Sequence, residues 1–273
     1  MKQVLKLAFI IFVTIIIIFP VIWIISTSIK NPVDIFAIPP ELVPANITMD
    51  HYSVLFKELN FLDYIRNSII VAVSVVVVSL FIGMLAAYSL ARFKLPHNMN
   101  YQISFWVLST RMFPPIVTII PLFSLLRMFN LVNTKTGLII AYTAFNLPFA
   151  VWMMRGFFAE IPKELEDAAM VDGYSRMGAF WHIIIPIARP GIIATAIFIL
   201  IMSWNEFLFA LILAQTRIAA TLPIGVASNV TQYQILWGRL SASGVIAMAP
   251  VLIFAFLVQK HLVRGMSMGA IKG

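Results

Sequence analysis

The chain has 273 residues, of which 61% are hydrophobic and only 11% are charged. Soluble domains carry roughly a quarter charged residues, so this composition excludes an ordinary soluble protein once the apolar residues are found in long runs. The net charge of +8 does not indicate nucleic-acid binding here, because basic residues accumulate in the cytoplasmic loops of membrane proteins.

Long uncharged runs predict six transmembrane helices, because a helix needs about 20 consecutive apolar residues to cross a bilayer. In chain order they are predicted at about 7–25, 69–91, 103–125, 136–154, 190–214 and 240–259. The first run is longer than the apolar core of a signal peptide and is interpreted as a retained helix. Pro114, Pro115 and Pro121 predict a kink or a local break in the third helix. The sequence therefore predicts an all-α membrane protein with one domain, 1–273.

The basic residues predict the orientation of this bundle. Six spans place both termini on one side, where eleven Lys and Arg residues lie, against seven on the opposite side. Basic loops stay on the cytoplasmic side, so both termini are predicted to be cytoplasmic.

Five of the eleven acidic residues lie in one cytoplasmic segment, 160–172. Pro162, the acids that follow it and Gly173 predict a short amphipathic helix over 163–172. Ser175 is expected to cap a second helix over 176–184, which Pro186 would end. The residues alone leave an ordinary structured loop equally open.

The first of these helices has two kinds of surface position. Its apolar positions are expected to lie toward other protein, and its acidic positions toward water or a basic partner. The apolar positions are Leu165, Ala168, Ala169 and Val171, and the acidic ones are Glu164, Glu166 and Asp167.

The same segment carries a motif. Asp167-Ala168-Ala169, three residues, Gly173, nine residues and Ile183-Ile184-Ile185-Pro186 together resemble the EAA signature of ABC-importer permeases. Asp167 stands where the signature has Glu, and Ile185 where it has Leu. The string Ser203-Trp204-Asn205-Glu206-Phe207 and the terminal Ala270-Ile271-Lys272-Gly273 are similar to the carbohydrate-uptake branch of that family. The resemblance extends over nearly the whole chain.

The resemblance implies a type I importer permease fold in which 160–187 is the coupling loop that docks on a cytoplasmic ATPase. It assigns this role to Glu164, Leu165, Glu166, Asp167, Ala168, Ala169, Asp172, Gly173 and Pro186. The chain has no Gly-x4-Gly-Lys-Ser/Thr phosphate loop, so a partner subunit would bind ATP and Mg²⁺ and hydrolyse the ATP. This chain would hold no cofactor and would not be an enzyme.

The resemblance also implies the assembly. The expected partners are a second homologous permease, two cytoplasmic ATP-binding subunits and an extracytoplasmic solute-binding protein, in a prokaryotic cell membrane. The expected substrate is a carbohydrate, such as a maltose-type oligosaccharide. Another polar solute, such as glycerol phosphate, stays open, as does a self-contained secondary transporter.

Polar residues inside the predicted spans are the candidates for the substrate path. Arg111 and Glu206 are costly in hydrocarbon, so each should face the bundle interior, a water-filled cavity or an opposite charge. Whether they pair with each other is left open, and such residues also join helices without touching a substrate. The candidates are Asn205, Glu206, Arg111, Asn146, Tyr142 and Trp204.

Other classes fit less well. A secondary transporter would need coupling acids or repeats, and the spans contain one acid. A membrane-embedded enzyme would need a metal or base cluster, but the four His residues are far apart and there is no cysteine. Two segments on the other side of the membrane, 27–66 and 215–239, would lie on the membrane surface, in solvent or against an external binding protein.

Overall fold

The computed structural model describes residues 2–93 and 95–268, without the side chains of residues 98 and 257–268. These residues are mostly helical and contain no strand, only isolated bridges that join Lys30 to Ile47 and Val230 to Ile235. The predicted all-α fold is confirmed. The terminal motif 270–273, with Lys272, and also Lys94 from the charge count lie outside the described residues.

The chain contains both long and short helices. The α-helices used below are α1 (Lys2–Ser28), α2 (Phe61–Arg92), α3 (Met99–Ser109), α4 (Pro115–Met128), α5 (Lys135–Glu160), α6 (Glu164–Val171), α7 (Arg176–Ala179), α8 (Arg189–Trp204), α9 (Leu208–Leu213), α10 (Leu222–Ala227) and α11 (Trp237–Met268). Shorter helical turns are Asp34–Phe36, Asp50–Ser53, Val54–Glu58, Pro96–Asn98, Thr110–Met112, Phe180–Ile184 and Ile185–Ile187.

The described helices include four that are long and apolar enough to cross a membrane alone. They are Lys2–Ser28, Phe61–Arg92, Lys135–Glu160 and Trp237–Phe256. Two bent pairs raise the number to six if each pair is one span: Met99–Met112 with Pro115–Met128, at 93°, and Arg176–Ile187 with Arg189–Trp204, at 76°. The second pair begins before the predicted span 190–214, because it includes the turn that precedes α8.

The predicted break in the third span is confirmed between α3 and α4. Phe113 and Pro114 leave the helical conformation, with ψ of 131° and 128°. Two successive prolines cause this, because each lacks a backbone N–H and each disfavours a helical conformation in the residue before it. Pro121, in contrast, lies inside the continuous α4.

The described chain forms two compact units. Among the described residues, one consists of 2–65 and 222–252, and the other of 66–221 and 253–268 without residue 94. The boundary at residue 65 falls inside α2, so one continuous helix contributes residues to both units.

In the first unit, the residues that follow α1 fold back against its end. Lys30 is buried, donates to the carbonyl oxygen of Glu41, and lies with its Nζ 4.7 Å from the centre of the Trp23 ring. The ring Nε2 of His51 bonds the Lys30 carbonyl oxygen at 2.8 Å. Gly238 of α11 packs on that ring, since a Cβ there would lie 2.1 Å from Nε2. A side chain at 238 would therefore displace His51.

In the second unit, an aromatic cluster joins α2, α5 and the turn after α7. Tyr88 lies with its ring centre 4.5 Å from that of Phe180 and 6.0 Å from that of Phe158. Met154 and Ile184 are buried in the same cluster. Each aromatic pair adds about 0.5–1.5 kcal/mol beyond area burial. The cluster holds the 160–187 loop against the end of α2.

Candidate functional site

The helix predicted over 163–172 is α6, and its ends follow from the residues that flank it. Three acids in its first turn complement the positive end of the helix dipole. At the other end Gly173 has φ of +93°. Its N–H donates to the carbonyl oxygen of Met170 at 3.1 Å, and the N–H of Tyr174 donates to that of Ala169 at 3.0 Å. This pair of bonds is the Schellman motif, which confirms Gly173 as the C-terminal cap.

Ser175 caps the next helix as predicted, since its Oγ accepts the N–H of Gly178 at 3.1 Å. The prediction that Pro186 ends this helix is wrong, because helical turns continue to Ile187. A wider π turn over Phe180–Ile184 leads into Ile185–Ile187, so Pro186 falls in a new first turn. A missing N–H costs little there, because the first turn has no helical acceptor for it.

Glu166 is the largest departure from the expected surface of α6. It was expected to face water or a basic partner, but it is turned into the protein and 7% exposed. Arg92, at the end of α2, donates from Nε to Glu166 Oε1 and from Nη2 to the carbonyl oxygen of Ile161, at 2.9 Å for the latter. The hydroxyl of Tyr88 donates to Glu166 Oε2 at 2.9 Å. The basic partner is thus in the same chain.

This pair fixes the position of α6. Arg92–Glu166 is the one salt bridge among the described residues. Removing one member of a buried ion pair leaves the other charge without compensation, at a cost of about 3–5 kcal/mol. Arg92 therefore holds both the helix and the carbonyl that precedes it, so α6 and the end of α2 are expected to move together.

The opposite face of α6 is apolar and open. Val171 is 87% exposed, and Leu165 and Ala168 are also exposed, whereas Ala169 is buried. These three exposed positions are spaced by three residues, so they lie on one side of the helix. We call Leu165, Ala168 and Val171 the outer face of α6. The exposed Glu164 lies on the same side of the helix, four residues before Ala168, and the exposed Asp167 and Asp172 lie close to this face.

A second set of predicted residues meets between α5 and the segment after α8. Asn146 is buried, and its Nδ2 donates to the carbonyl oxygen of Tyr142 at 2.9 Å and to Ser203 Oγ at 3.4 Å. The Tyr142 hydroxyl donates to the carbonyl oxygen of Glu206 at 3.4 Å. We call Tyr142, Asn146, Ser203 and Glu206 the polar cluster.

Glu206 explains why the predicted span 190–214 is two helices. Its carboxylate accepts the N–H of Phe209 at 3.1 Å and that of Ala210 at 3.3 Å. A side chain that caps the first turn of α9 in this way stabilises a new helix start. Helix α8 ends at Trp204, which is buried, and Asn205 is exposed, with its Nδ2 bonded to the Ile201 carbonyl oxygen at 2.8 Å.

Arg111 does not pair with Glu206. Its guanidinium carbon lies 5.3 Å from the centre of the Phe145 ring and 5.0 Å from that of Phe149. Its Nη2 lies 2.9 Å from Met202 Sδ, and its Nη1 is buried with no hydrogen-bond partner among the described residues. Aromatic faces thus take the place of a carboxylate.

Sequence reasoning missed several of these partners. The pattern marks Tyr88 and Arg92 only as the end of an apolar run and does not indicate their contacts with Glu166. A basic residue at the end of a span can nevertheless reach a neighbouring loop. The signal for Phe149 was available, because it follows Phe145 by four residues and so shares its side of α5. Nothing in the local pattern around Met202 indicates a contact with Arg111.

Comparison with known proteins adds a family and a fold. Residues 79–268 match the family described as binding-protein-dependent transport system inner membrane component. The trehalose/maltose transport system permease protein MalG of Thermococcus litoralis is 35% identical over 276 residues, which cover 100% of this chain and 98% of that protein. The trehalose transport system permease protein SugB of Mycobacterium tuberculosis is 35% identical over 256 residues, covering 93% and 92%. A chain of a bacterial ABC transporter involved in the import of the acidic polysaccharide alginate superposes with a TM-score of 0.80 at 23% identity, covering 95% of each chain.

Proposed function

The chain belongs to the family of binding-protein-dependent transport system inner membrane components, and from this premise we propose that it couples uptake of a carbohydrate to ATP hydrolysis in a partner subunit. It is a multi-pass permease subunit of the cell membrane with the fold of a type I ABC importer. The proposal adds the substrate class, the residues that couple and the composition of the assembly.

The single observation that carries the proposal is the two-sided construction of α6. One side is anchored through Glu166 to Arg92, and the other side presents the outer face, which is apolar and exposed. An exposed apolar helix face in a segment rich in charge fits a partner with a groove, since the apolar positions fill the groove and the acids set the register. A rigid anchor then passes movement of that partner to α2.

The proposed partners follow from this construction. A cytoplasmic ATPase holds ATP and Mg²⁺ and binds the outer face, and two such subunits act on this chain and a second permease. An extracytoplasmic binding protein delivers the substrate, as the family description indicates. In this arrangement α6 and both termini lie on the cytoplasmic side, and this chain has no catalytic role.

Carbohydrate is proposed as the substrate class because relatives over nearly the full length are named for trehalose and maltose. The polar cluster and the aromatic rings beside it have the chemical groups that a sugar would bind. Asn146 has a buried Oδ1 with no partner among the described residues, and aromatic rings of Phe145 and Phe149 lie nearby on α5. An amide and aromatic faces suit a sugar, whose hydroxyls form hydrogen bonds and whose C–H groups stack on rings.

Site-specific cross-linking in the assembled transporter tests the coupling proposal. The chain has no cysteine, so Val171→Cys introduces a single thiol on the outer face. We expect a short bifunctional reagent to join this thiol to the ATPase subunit and to stop ATP-driven sugar uptake in proteoliposomes. The matched control is Tyr233→Cys, which is 95% exposed in the segment 215–239.

Two results would overturn the proposal. One is a product with the ATPase that forms as readily from residue 233 as from residue 171. The other is uptake that continues in proteoliposomes without ATP. Uptake of a phosphorylated polyol in place of a sugar would leave the coupling role intact and change only the substrate class.

A further inference from the structure

The loop that follows α1 exposes more apolar surface than a water-facing loop normally does. We call residues 31–49 the apolar loop. Its large exposed side chains are Val33, Phe36, Ile38, Leu42, Val43, Ile47 and Met49. Ile38 is 96% exposed, which is nearly the exposure of a free side chain. Contiguous apolar patches on a folded protein mark a surface that something else covers.

The polar side chains of this region are few, and Glu41 and Asn46 are the exposed ones. Residues 31–49 contain two charged side chains, Asp34 and Glu41. Asp34 accepts from Asn31 Nδ2 at 3.2 Å, and Lys30, just before the loop, is buried against Trp23. The loop therefore exposes one charged side chain, Glu41, whose carboxylate can stay in contact with water or lipid headgroups while the apolar side chains insert.

The backbone of the apolar loop also has fewer groups that need water. Four of the nineteen positions are proline, namely Pro32, Pro39, Pro40 and Pro44. Proline has no N–H, so these positions carry no donor that would lose a hydrogen bond to water. Four further N–H groups, of Asp34, Ile35, Phe36 and Ala37, donate to carbonyl oxygens within the loop. Fewer backbone donors than usual would need water.

The apolar loop follows directly on a helix that is expected to face lipid. The last turns of α1 expose Ile18, Ile22 and Ile25, and the chain reaches Val33 after one short turn. Helix α1 is long and apolar enough to span the membrane of this multi-pass permease. Exposed apolar side chains thus occur both on the last turns of α1 and in the loop that follows it.

From these observations we infer that the apolar loop lies in the lipid bilayer interface at the end of α1, with its apolar side chains among the lipids. The depth is limited by the irregular backbone, which is not tolerated in contact with the hydrocarbon core. Insertion to about 5–10 Å, at the boundary between headgroups and acyl chains, satisfies both requirements. This anchor goes beyond the proposed transport function and does not depend on the substrate.

A protein partner explains the surface less well. A binding protein that docks and leaves would expose the apolar loop to water between visits. Interfaces of this transient kind are about as apolar as the rest of a protein surface, whereas the exposed residues here are almost uniformly apolar. Lipid is present throughout the cycle and matches that chemistry.

Fluorescence quenching in the assembled transporter tests the inference. Ile38→Cys and Val43→Cys, each labelled with an environment-sensitive fluorophore, are placed in nanodiscs of phosphatidylethanolamine and phosphatidylglycerol, with the other subunits free of reactive thiols. Tyr233→Cys is the control, because it is nearly fully exposed in a polar segment of the same unit. Two quenchers are compared, a nitroxide lipid labelled near the headgroup and iodide in the water.

We expect blue-shifted emission at residues 38 and 43 and nitroxide quenching about threefold stronger than at residue 233, because the interfacial depth brings the label within reach of the spin label. Iodide should quench residue 233 more strongly. Iodide quenching at residues 38 and 43 equal to that at residue 233 would overturn the inference in favour of a solvated loop. Weak quenching by both agents would also overturn it and would point to cover by the second permease.

Discussion

The loop around α6 and the residues around Arg111 accommodate a charge withdrawn from water in opposite ways, buried at Glu166 and half-buried at Arg111. Glu166 meets a full counter-charge and a hydroxyl, both from another part of the chain. Arg111 meets two aromatic faces and a thioether, and one of its terminal nitrogens has no hydrogen-bond partner among the described residues. The charge of Glu166 is thus fully compensated within the chain, whereas Arg111 keeps a donor that a further group could use.

The largest effect is expected at the anchor. Glu166→Ala leaves Arg92 buried without its counter-charge, which should cost about 3–5 kcal/mol of stability. ATP-driven uptake in proteoliposomes should be lost, and the thermal unfolding midpoint of the purified transporter should fall. Glu164→Ala removes an exposed acid from the same helix and is the matched control for stability alone, with an expected change within about 0.5 kcal/mol.

A double substitution sharpens this prediction. Arg92→Met with Glu166→Leu replaces the buried ion pair by apolar side chains, which often restores stability fully. If the double variant melts like the unmodified protein but still takes up no sugar, the pair has a role in coupling beyond stability. Equal loss of stability in the single and double variants would contradict the ionic account of the anchor.

The cap of α6 comes next. Gly173→Val forces a β-branched residue to a positive φ, which costs about 1–2 kcal/mol. A Cβ at this position would meet no heavy atom of the described residues within 4 Å, so the cost is conformational and not steric crowding. Gly173→Asn should retain most of the uptake rate, because Asn tolerates this conformation. Equal uptake by the two variants would show that the left-handed cap is unimportant.

A smaller effect on stability is expected at Arg111. Arg111→Met removes two cation–π contacts of about 0.5–2 kcal/mol each, but it also removes a buried nitrogen without a hydrogen-bond partner, so the two changes largely offset. The unfolding midpoint should therefore change less than in Glu166→Ala. The KM for sugar uptake should rise while the ATPase activity is kept. A joint fall of the maximal uptake rate and the ATPase activity would place Arg111 with the coupling residues instead.

The smallest effect is expected at Asn205. Its side chain is exposed, and its recorded bond goes to a carbonyl oxygen of its own helix. Asn205→Ala should change stability by about 0.5 kcal/mol or less, as is usual for surface positions. Uptake kinetics measured beside those of Asn146→Ala, in the buried polar cluster, separate the two amides. A larger change at residue 205 would identify it as a substrate contact.

Local chemistry made much of the fold predictable. Long apolar runs predicted the helices, the Pro114-Pro115 pair predicted the break, and Gly173 and Ser175 predicted the caps, because each effect acts within a few residues. The facing of α6 was not predictable in this way. Arg92 and Glu166 are separated by 74 positions, and a local pattern of acids and apolar residues reads equally well with either face inward.

The candidate substrate path shows the same limit. Tyr142, Asn146 and Glu206 were singled out because polar groups are costly in a membrane, and the structure brings them together. Whether Arg111 pairs with Glu206 could not be predicted from their charges, because each side chain binds other groups instead. Backbone N–H groups of α9 satisfy the carboxylate, and the rings of α5 satisfy much of the guanidinium.

The cap formed by Glu206 has a consequence for the energy source of transport. A carboxylate that accepts two backbone N–H groups loses acceptor strength when it takes up a proton, so proton traffic through Glu206 would loosen the start of α9 on every cycle. The carboxylate thus serves to hold the start of α9 in place. We expect a transmembrane proton gradient to leave the uptake rate unchanged. A proton symporter differs, because its buried acid must bind and release a proton in each cycle.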